Sequence, residues 1–259
     1  MATTARDTRG DGDADLLMVI PVRNEGERLE RFLADLSGCP AAPVTSFVVV
    51  DDGSTSSMVA HHERAVAALS ARLRERGSPH HARLLVSPAN EGKGAAIRRG
   101  WGDGGSARWL GFVDGDGAVP AREFWRLAAA LGPDASFDAL LGSRVAAQGR
   151  RVLRKPLRAI QGAVFARIAN AVLGIDVADP QCGLKFFRAL HLTPMLARLK
   201  ERGWSLDPEL LLLFRKAGCR LREEPIDWTE HASSKVVFGV DAVRMFVELL
   251  RIRRRIARG

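Results

Sequence analysis

The chain has 259 residues, of which 46% are hydrophobic and 27% charged, and its formal net charge is +9. This length and composition predict a soluble globular protein with one large α/β domain or two small ones. The basic balance indicates an anionic partner: nucleic acid, an acidic membrane surface or a phosphorylated substrate. The three cysteines lack the spacing of a disulfide scaffold or a zinc site, which argues against both classes.

The sequence predicts neither a secretory signal nor a membrane-spanning helix. Residues 1–15 carry four aspartates and no apolar stretch, which is typical of a disordered tail. No uncharged apolar run approaches the ~20 residues that a spanning helix needs. We therefore expect a cytoplasmic location, either free or peripheral on the cytoplasmic face of a membrane.

The first half of the chain alternates between strand-like and helical patterns. Apolar runs typical of strands cover 16–21, 47–50, 84–86, 109–113 and 139–141. Amphipathic helical spacing lies between them, as in Leu29, Phe32, Leu33 and Leu36, or Val66, Leu69 and Leu73. This alternation predicts βαβ units, a largely parallel sheet flanked by helices, and a single domain.

The second half is less regular. Helical spacing covers 160–173, 206–217 and 240–256, and residues 184–187 fit a strand after a loop at 179–183. We find neither an internal repeat nor a linker.

Polar or glycine-rich segments follow four consecutive predicted strands. They are Arg23-Asn24-Glu25, Asp51-Asp52-Gly53-Ser54, Asn90-Glu91-Gly92-Lys93-Gly94 and Asp114-Gly115-Asp116-Gly117. Ligands of such sheets bind beyond the carboxyl ends of the strands. We therefore expect the functional site at this edge of the sheet.

Asp114 and Asp116 are candidate metal ligands. Residues two apart in extended chain project to the same side, and two carboxylates there suit Mg²⁺ or Mn²⁺ with substrate phosphate completing the shell. The alternative is a surface turn, since aspartate and glycine are turn residues. An EF-hand loop is excluded, because later ligand positions hold Ala118 and Val119.

Two further strand ends indicate a nucleotide. Asp51 and Asp52 could accept hydrogen bonds from a base or a ribose, or could form a structural turn. Gly92-Lys93-Gly94 could bring backbone N–H groups and Lys93 to a phosphate, or could be a plain helix entry. Position 97 is Ile, which breaks a dinucleotide fingerprint, and no Ser or Thr follows Lys93 as in a P-loop. The pairs His61-His62 and His80-His81 lack metal-ligand spacing and are expected on the surface.

Together these segments resemble the family 2 glycosyltransferases, which have the nucleotide-sugar-binding GT-A fold. Within them the resemblance is to the dolichyl-phosphate glucose and mannose synthases, nearest the β-glucosyltransferase branch. It runs from about Met18 to about Lys235 and also includes Ile20-Pro21-Val22, Gly142-Ser143-Arg144, Asp179-Pro180-Gln181-Cys182-Gly183-Leu184-Lys185, Trp204-Ser205-Leu206-Asp207-Pro208-Glu209-Leu210 and Ser233-Ser234-Lys235. One departure is Gly115, where the branch more often has alanine.

The resemblance implies an inverting, metal-dependent transfer from a nucleotide-diphosphate sugar. Asp51 would bind the base, Asp52 and residues 21–25 the nucleoside, and Asp114 and Asp116 the metal. The acceptor and sugar side would be lined by Gln181, Lys185 and Asp207. Candidate substrate contacts also include Pro21, Arg23, Asn24, Glu25, Gly53, Asn90, Lys93 and Gly115, together with His231, Ser234 and Lys235, which would contact the diphosphate or the acceptor. Of these, His231 and Lys235 could equally be plain surface.

Two acceptors remain open. A polyprenyl phosphate is already ionised and needs no strong base, and Arg144, Arg150, Arg151 and Arg154 would hold its phosphate. A hydroxyl on a soluble natural product or a polysaccharide needs a base, for which Asp207 is the candidate. A nucleic-acid-binding protein would explain the charge but not the acidic strand ends. A nucleotidyltransferase would need a Gly-rich entry loop with arginine after the first strand, which is missing.

The C-terminal segment predicts a basic amphipathic helix. Arg244, Arg251, Arg255 and Arg258 follow one helical spacing, and Met245, Leu249, Ile252 and Ile256 follow another. Such a helix could lie on an anionic membrane or pack on the core. The expected organisation is a tail at 1–15, a GT-A domain at 16–238 and this helix at 239–259.

Overall fold

The computed structural model describes residues 14–38, 40–102, 106–230 and 240–258. The strands are β1 (Leu16–Val22), β2 (Thr45–Asp52), β3 (His81–Ser87), β4 (Trp109–Val113), β5 (Ala139–Ser143), β6 (Val152–Leu153), β7 (Leu184–Arg188), β8 (Leu221–Pro225) and β9 (Trp228–Thr229). The helices are α1 (Glu27–Leu36), α2 (Ser56–Glu75), α3 (Lys93–Gly102), α4 (Ala121–Ala128), α5 (Pro156–Leu173), α6 (Ala189–Leu192), α7 (Leu206–Lys216) and α8 (Val240–Arg258), with a 3-10 helix at Thr193–Arg198.

Seven strands form one sheet in the order β3-β2-β1-β4-β7-β5-β8. The pairs among β3, β2, β1 and β4 are parallel, which confirms the βαβ prediction for the first half. Strand β7 lies between β4 and β5 and is antiparallel to both, so the sheet is mostly rather than wholly parallel. Strands β6, β8 and β9 were not expected from the sequence pattern.

The sheet separates two apolar cores because its central strands are buried on both faces. All eight residues of β2 are buried, which its β-branched run suits. One core joins the sheet to α1, α2 and α4 through residues such as Leu33, Leu69 and Phe124. The other joins it to α3, α5, α7 and α8. Residues at the strand ends are therefore held by a rigid frame.

Helix α8 packs on the core that also contains residues of α3, α5 and α7. Its apolar face, predicted to lie on a membrane or to pack on the core, therefore packs on the core. Leu249, Ile252 and Ile256 are buried there. Arg255 donates to Glu201 and to the buried Glu209, which joins α8 to the start of α7. Within the described residues, no helix has the length and apolar character needed to cross a bilayer.

Candidate functional site

The carboxyl ends of β1, β2 and β4 lie side by side. Val22 at the end of β1 pairs with Asp51 of β2, and Val113 ends β4 directly before Asp114. The predicted segments therefore meet at one edge of the sheet. His231, Ser234 and Lys235 lie outside the described residues.

Asp114 sits in a close backbone cradle. Its N–H donates to the carbonyl of Gly183 at 2.9 Å. A Cβ at Gly183 would lie 2.1 Å from Asp114 Oδ2, so only glycine leaves room for this carboxylate. A Cβ at Gly115 would lie 2.6 Å from Val22 Cγ1, so the glycine of this chain fits its packing. Asp116 Oδ1 accepts from the N–H of Ala118 at 3.0 Å.

Lys93 faces the acidic pair. Its Nζ lies 2.6 Å from Asp114 Oδ1, and its side chain is only 10% exposed. Burial alone would lower the pKa of Lys93, but the carboxylates of Asp114, Asp207 and Asp116 outweigh it and raise that pKa. The ammonium also lies 4.7 Å from the ring centroid of Trp204, whose residue is 58% exposed. Lys93 is therefore a fixed cation beside the predicted metal ligands.

The carboxylates at this site are suitable ligands for a hard divalent cation. Burial, followed by the nearby Asp116, raises the pKa of Glu25, although Arg28 opposes the shift. Glu25 therefore adds a third carboxylate to the surroundings of Asp114 and Asp116. Carboxylate oxygens are the ligands that Mg²⁺ and Mn²⁺ prefer.

A second cluster of ligand-type groups lies at the opposite edge of the sheet. Single atoms of Asp138, His191 and Cys219 lie within 4.8 Å of one another, before β5, after β7 and before β8. The Asp138 carboxylate, however, accepts from the backbone N–H of Arg220 at 2.8 Å and from its guanidinium at 3.2 Å. Because Arg220 donates to both oxygens of Asp138, through its backbone and its side chain, this cluster is a poor match for a metal.

Asp51 is fully buried and held by protein groups. Its Oδ2 lies 2.6 Å from Nδ1 of His62, and its Oδ1 accepts from the N–H of Ser54 at 2.8 Å. Nε2 of His62 lies 2.6 Å from the carbonyl oxygen of Glu25. The prediction that His62 lies on the surface is therefore wrong, because it joins the ends of β1 and β2 beneath the site. His80 is buried as well, where it accepts from the N–H of Thr45 and contacts the carbonyl of Pro40.

Asp52 organises the loop before α3. Its two carboxylate oxygens accept from the N–H groups of Glu91 and Gly92 at 2.7 and 2.8 Å. Gly53 has φ +68, and a Cβ there would lie 2.3 Å from the backbone N of Asn90. The close approach of these two loops therefore requires glycine.

Several backbone N–H groups around the start of α3 are bonded within the protein. Besides the two bonds to Asp52, the N–H of Ala95 donates to the carbonyl of Arg202 at 3.0 Å. A Cβ at Gly94 would lie 2.8 Å from the carbonyl of Glu201. Of the three residues of the predicted phosphate site, Gly92 has its N–H bonded to Asp52. The backbone part of that site stays a prediction, while the Lys93 side chain does face the carboxylates of the site.

Asn24 links the segment after β1 to the segment after β2 by two hydrogen bonds. Its N–H donates to Ser54 Oγ at 2.9 Å, and its Oδ1 accepts from the N–H of Thr55 at 3.0 Å. Arg23 and Asn90 are exposed and Pro21 is half-buried at this surface, where they could meet a ligand. Their binding roles stay predictions.

Asp207 and Lys185 form a buried pair. Lys185 Nζ contacts Asp207 Oδ1 and donates to the carbonyl of Cys182, and both side chains are buried. Burial raises the pKa of the Cys182 thiol to about 12, so it is a neutral neighbour. Gln181 is half-buried beside them. One oxygen of the predicted base is therefore occupied by an ammonium group.

Three of the four arginines predicted to hold an acceptor phosphate have protein partners. Arg144 forms a bidentate pair with Asp179 at 2.7 Å, and the pKa of Arg144 is raised because this bond outweighs burial. Arg150 donates to the buried Glu123, and Arg154 to the carbonyls of Arg158 and Ala159. Of these four arginines, only Arg151 has an exposed side chain for which no ion pair is found within the described residues. The four therefore do not form one open phosphate site.

Comparison with known proteins agrees with this architecture. Residues 18–192 match the model of glycosyl transferase family 2. A dolichyl-phosphate beta-glucosyltransferase of Saccharomyces cerevisiae is 27% identical, over 94% of this chain and 75% of that protein. One from Trichomonas vaginalis is 29% identical over 66% of this chain, and that match spans about half (51%) of the relative's length.

Solved structures show the same fold. Glucosyl-3-phosphoglycerate synthase of Mycobacterium tuberculosis, crystallised with Mn²⁺, UDP and glucosyl-3-phosphoglycerate, has a TM-score of 0.60 and 17% identity, over 92% of this chain and 78% of that one. A mannosyltransferase of Pyrobaculum calidifontis with GDP-Man and Mn²⁺ has a TM-score of 0.57 and 18% identity, over 95% and 64%. The fold is thus that of the GT-A glycosyltransferases. The chain itself belongs to glycosyl transferase family 2.

Proposed function

We propose that this protein transfers a hexose, with inversion, from a nucleoside-diphosphate sugar of the UDP-glucose or GDP-mannose type to a polyprenyl phosphate. The names of the relatives support this acceptor, since several are dolichyl-phosphate beta-glucosyltransferases. We further propose that the reaction takes place at the cytoplasmic face of a membrane, where such an acceptor would be found.

Donor binding is assigned to the edge of the sheet at β1, β2 and β4. Asp114 and Asp116 would hold Mg²⁺ or Mn²⁺, which would neutralise charge on the departing diphosphate. Lys93 would exchange its contact with Asp114 for a donor phosphate oxygen. The carboxylates of Asp51 and Asp52 are buried and accept hydrogen bonds from backbone N–H groups. They would support nucleoside binding indirectly, by fixing the loops that surround it. The outer residues Arg23, Asn24 and Asn90 would contact it directly.

The observation that carries the choice of acceptor is the contact between Asp207 and Lys185. A hydroxyl acceptor must lose a proton during attack, and the ammonium already occupies one oxygen of the candidate base. A phosphate oxygen is ionised beforehand. It would form the bond to the anomeric carbon while the bond from that carbon to the diphosphate oxygen breaks, and the nucleoside diphosphate would leave with the electron pair. This step balances without a proton transfer.

The test compares a short polyprenyl phosphate with the matching polyprenol, which carries a hydroxyl in place of the phosphate. With the same donor and Mn²⁺, we expect glycosylated product from the phosphate alone, detected by mass spectrometry. Product from the polyprenol, or from a soluble hydroxyl compound in place of the lipid, would favour the alternative acceptor. Product from neither lipid would refute the lipid acceptor.

A further inference from the structure

Trp204 is an exposed aromatic residue beside the candidate site. Of the other four tryptophans of the chain, Trp101, Trp109 and Trp125 are buried and Trp228 is half-buried, whereas Trp204 is 58% exposed. A large aromatic side chain contributes most to stability when it is buried. Ligand sites, in contrast, are commonly lined by aromatic rings with a few polar groups beside them. The ring of Trp204 is therefore available to a ligand of this site.

Trp204 belongs to the segment 199–205, which we call the Trp204 loop and which is anchored to the helix that follows it. Glu209 of α7 is fully buried, and its carboxylate accepts from the N–H groups of Lys200 and Glu201, each at 2.9 Å. Hydrogen bonds to an ionised group are among the stronger ones in proteins. The backbone that carries Trp204 is therefore fixed.

The Trp204 loop lies against the start of α3. A Cβ at Gly92, the residue before Lys93, would lie 2.4 Å from the carbonyl oxygen of Arg202. The ammonium of Lys93 lies 4.7 Å from the ring centroid of Trp204 and 2.6 Å from a carboxylate oxygen of Asp114. One lysine side chain therefore joins the ring to a predicted metal ligand.

Trp204 lies on the side of the site that is opposite to the predicted nucleoside residues. Within the sheet the strands have the order β2-β1-β4-β7, with the predicted nucleoside residues at the end of β2 and Asp114 directly after β4. Asp207, three residues after Trp204, contacts Lys185 of β7. A donor whose diphosphate lies at Asp114 and whose nucleoside lies towards β2 extends its sugar towards β7 and Trp204.

We propose that the ring of Trp204 packs against the hexose of the donor and makes the site prefer the nucleotide sugar over the nucleoside diphosphate. A pyranose carries C–H groups on its faces, and their partly positive hydrogens are attracted by the negative face of the indole. When the Lys93 ammonium moves from the ring to the diphosphate, the sugar takes its place. The inference rests on the proposed function, since it concerns the sugar of the same donor.

The test is titration calorimetry with Mn²⁺, comparing UDP-glucose with UDP and GDP-mannose with GDP. For the pair that the wild type binds, we expect Trp204→Leu to weaken binding of the nucleotide sugar about tenfold and of the nucleoside diphosphate by less than about twofold. Trp204→Phe keeps an aromatic face and should lose no more than about threefold. Lys93→Met should weaken both ligands by the same factor, because it removes a phosphate contact. Phe246→Leu, which removes an exposed ring from α8, should match the wild type.

Equal affinities of wild type and Trp204→Leu for the nucleotide sugar would overturn the inference. So would equal weakening of nucleotide sugar and nucleoside diphosphate, because the ring would then act on the diphosphate through Lys93. Circular dichroism checks the fold, and Trp204→Gln replaces Trp204→Leu if that misfolds. A wild type that binds no nucleotide sugar would refute the proposed function and this inference together. Donor binding by the wild type without transfer to polyprenyl phosphate would refute the proposed acceptor alone.

Discussion

The ammonium of Lys93 lies 2.6 Å from a carboxylate oxygen of Asp114, one of the two predicted metal ligands. A lysine in this position competes with a divalent cation for the same oxygen. It also places a positive charge where a donor diphosphate would arrive. We therefore propose that Lys93 couples metal binding to donor binding.

Replacing Lys93 should change metal and donor binding in opposite directions. In Lys93→Met we expect Mn²⁺ to bind about tenfold more tightly without donor, because a nearby positive charge is removed. Donor affinity should fall, because a phosphate loses a cationic partner. Titration calorimetry measures both, and Lys216→Met at the far end of α7 is the control. Unchanged or weaker Mn²⁺ binding by Lys93→Met would show that the two cations do not compete.

The pair of Lys185 and Asp207 should behave as a unit in folding. Lys185→Met leaves a buried carboxylate without its partner and should cost about 3–5 kcal/mol in the free energy of unfolding. Lys185→Met/Asp207→Leu removes both charges and should recover most of this loss. Urea unfolding measures the free energy of unfolding of each variant in this double-mutant cycle. Arg31→Met, in the exposed pair with Glu27, is a control that should be near neutral. Additive losses in the double variant would mean that the two groups are not coupled.

His62 should position the nucleotide end of the site. Both of its ring nitrogens face acceptors, Asp51 Oδ2 and the carbonyl of Glu25. His62→Leu removes both contacts and should cost about 2–4 kcal/mol in stability. Donor affinity should fall as well, since the ends of β1 and β2 lose their bridge. His61→Gln, at the half-exposed neighbouring histidine, should change neither quantity. A stable His62→Leu with normal donor affinity would exclude this role.

His80 should make stability depend on pH. Burial lowers the pKa of His80 from its ordinary value of 6.5. The folded protein therefore binds fewer protons than the unfolded chain between that lowered pKa and pH 6.5. The contribution is complete above pH 6.5 and is lost as the pH falls through the lowered pKa. Denaturant unfolding across this range should show the slope in wild type and in His61→Gln, but a smaller one in His80→Gln. An equal slope in His80→Gln would assign it to another group.

Much of the fold could be predicted because local patterns determine it. The strands at β1, β2 and β4 are continuous apolar runs, and the amphipathic periods of α1 and α2 give their buried faces. Strand β7 pairs antiparallel with both β4 and β5. Its five residues carry no sequence pattern that predicts the direction of the strand or the strands with which it pairs. Strands β6 and β9 have only two residues each, too few for a periodic signal.

The sequence predicts which acidic residues belong to the candidate site, but it does not predict the protein groups to which their carboxylates bond. A run such as Asp51-Asp52 indicates a polar strand end, yet its two carboxylates face different elements: Asp51 contacts His62 of α2, and Asp52 accepts from Gly92 in the loop before α3. His62 is preceded by another histidine within α2, and only packing shows which of the two faces inward. Arg144 is likewise satisfied by Asp179, 35 positions away. Such pairings depend on the folded topology, which spacing along the chain does not encode.

The central claim is a metal-dependent sugar transfer that requires the carboxylate of Asp116. The most direct measurement is the rate of transfer from UDP-glucose or GDP-mannose to a short polyprenyl phosphate with Mn²⁺, for wild type and for Asp116→Asn. Asp35→Asn, an exposed carboxylate on α1, is the matched control. We predict product with at least one donor, its loss with EDTA, and a rate lower by about 10³ in Asp116→Asn alone. Transfer at the wild-type rate by Asp116→Asn, or in the presence of EDTA, would contradict the account.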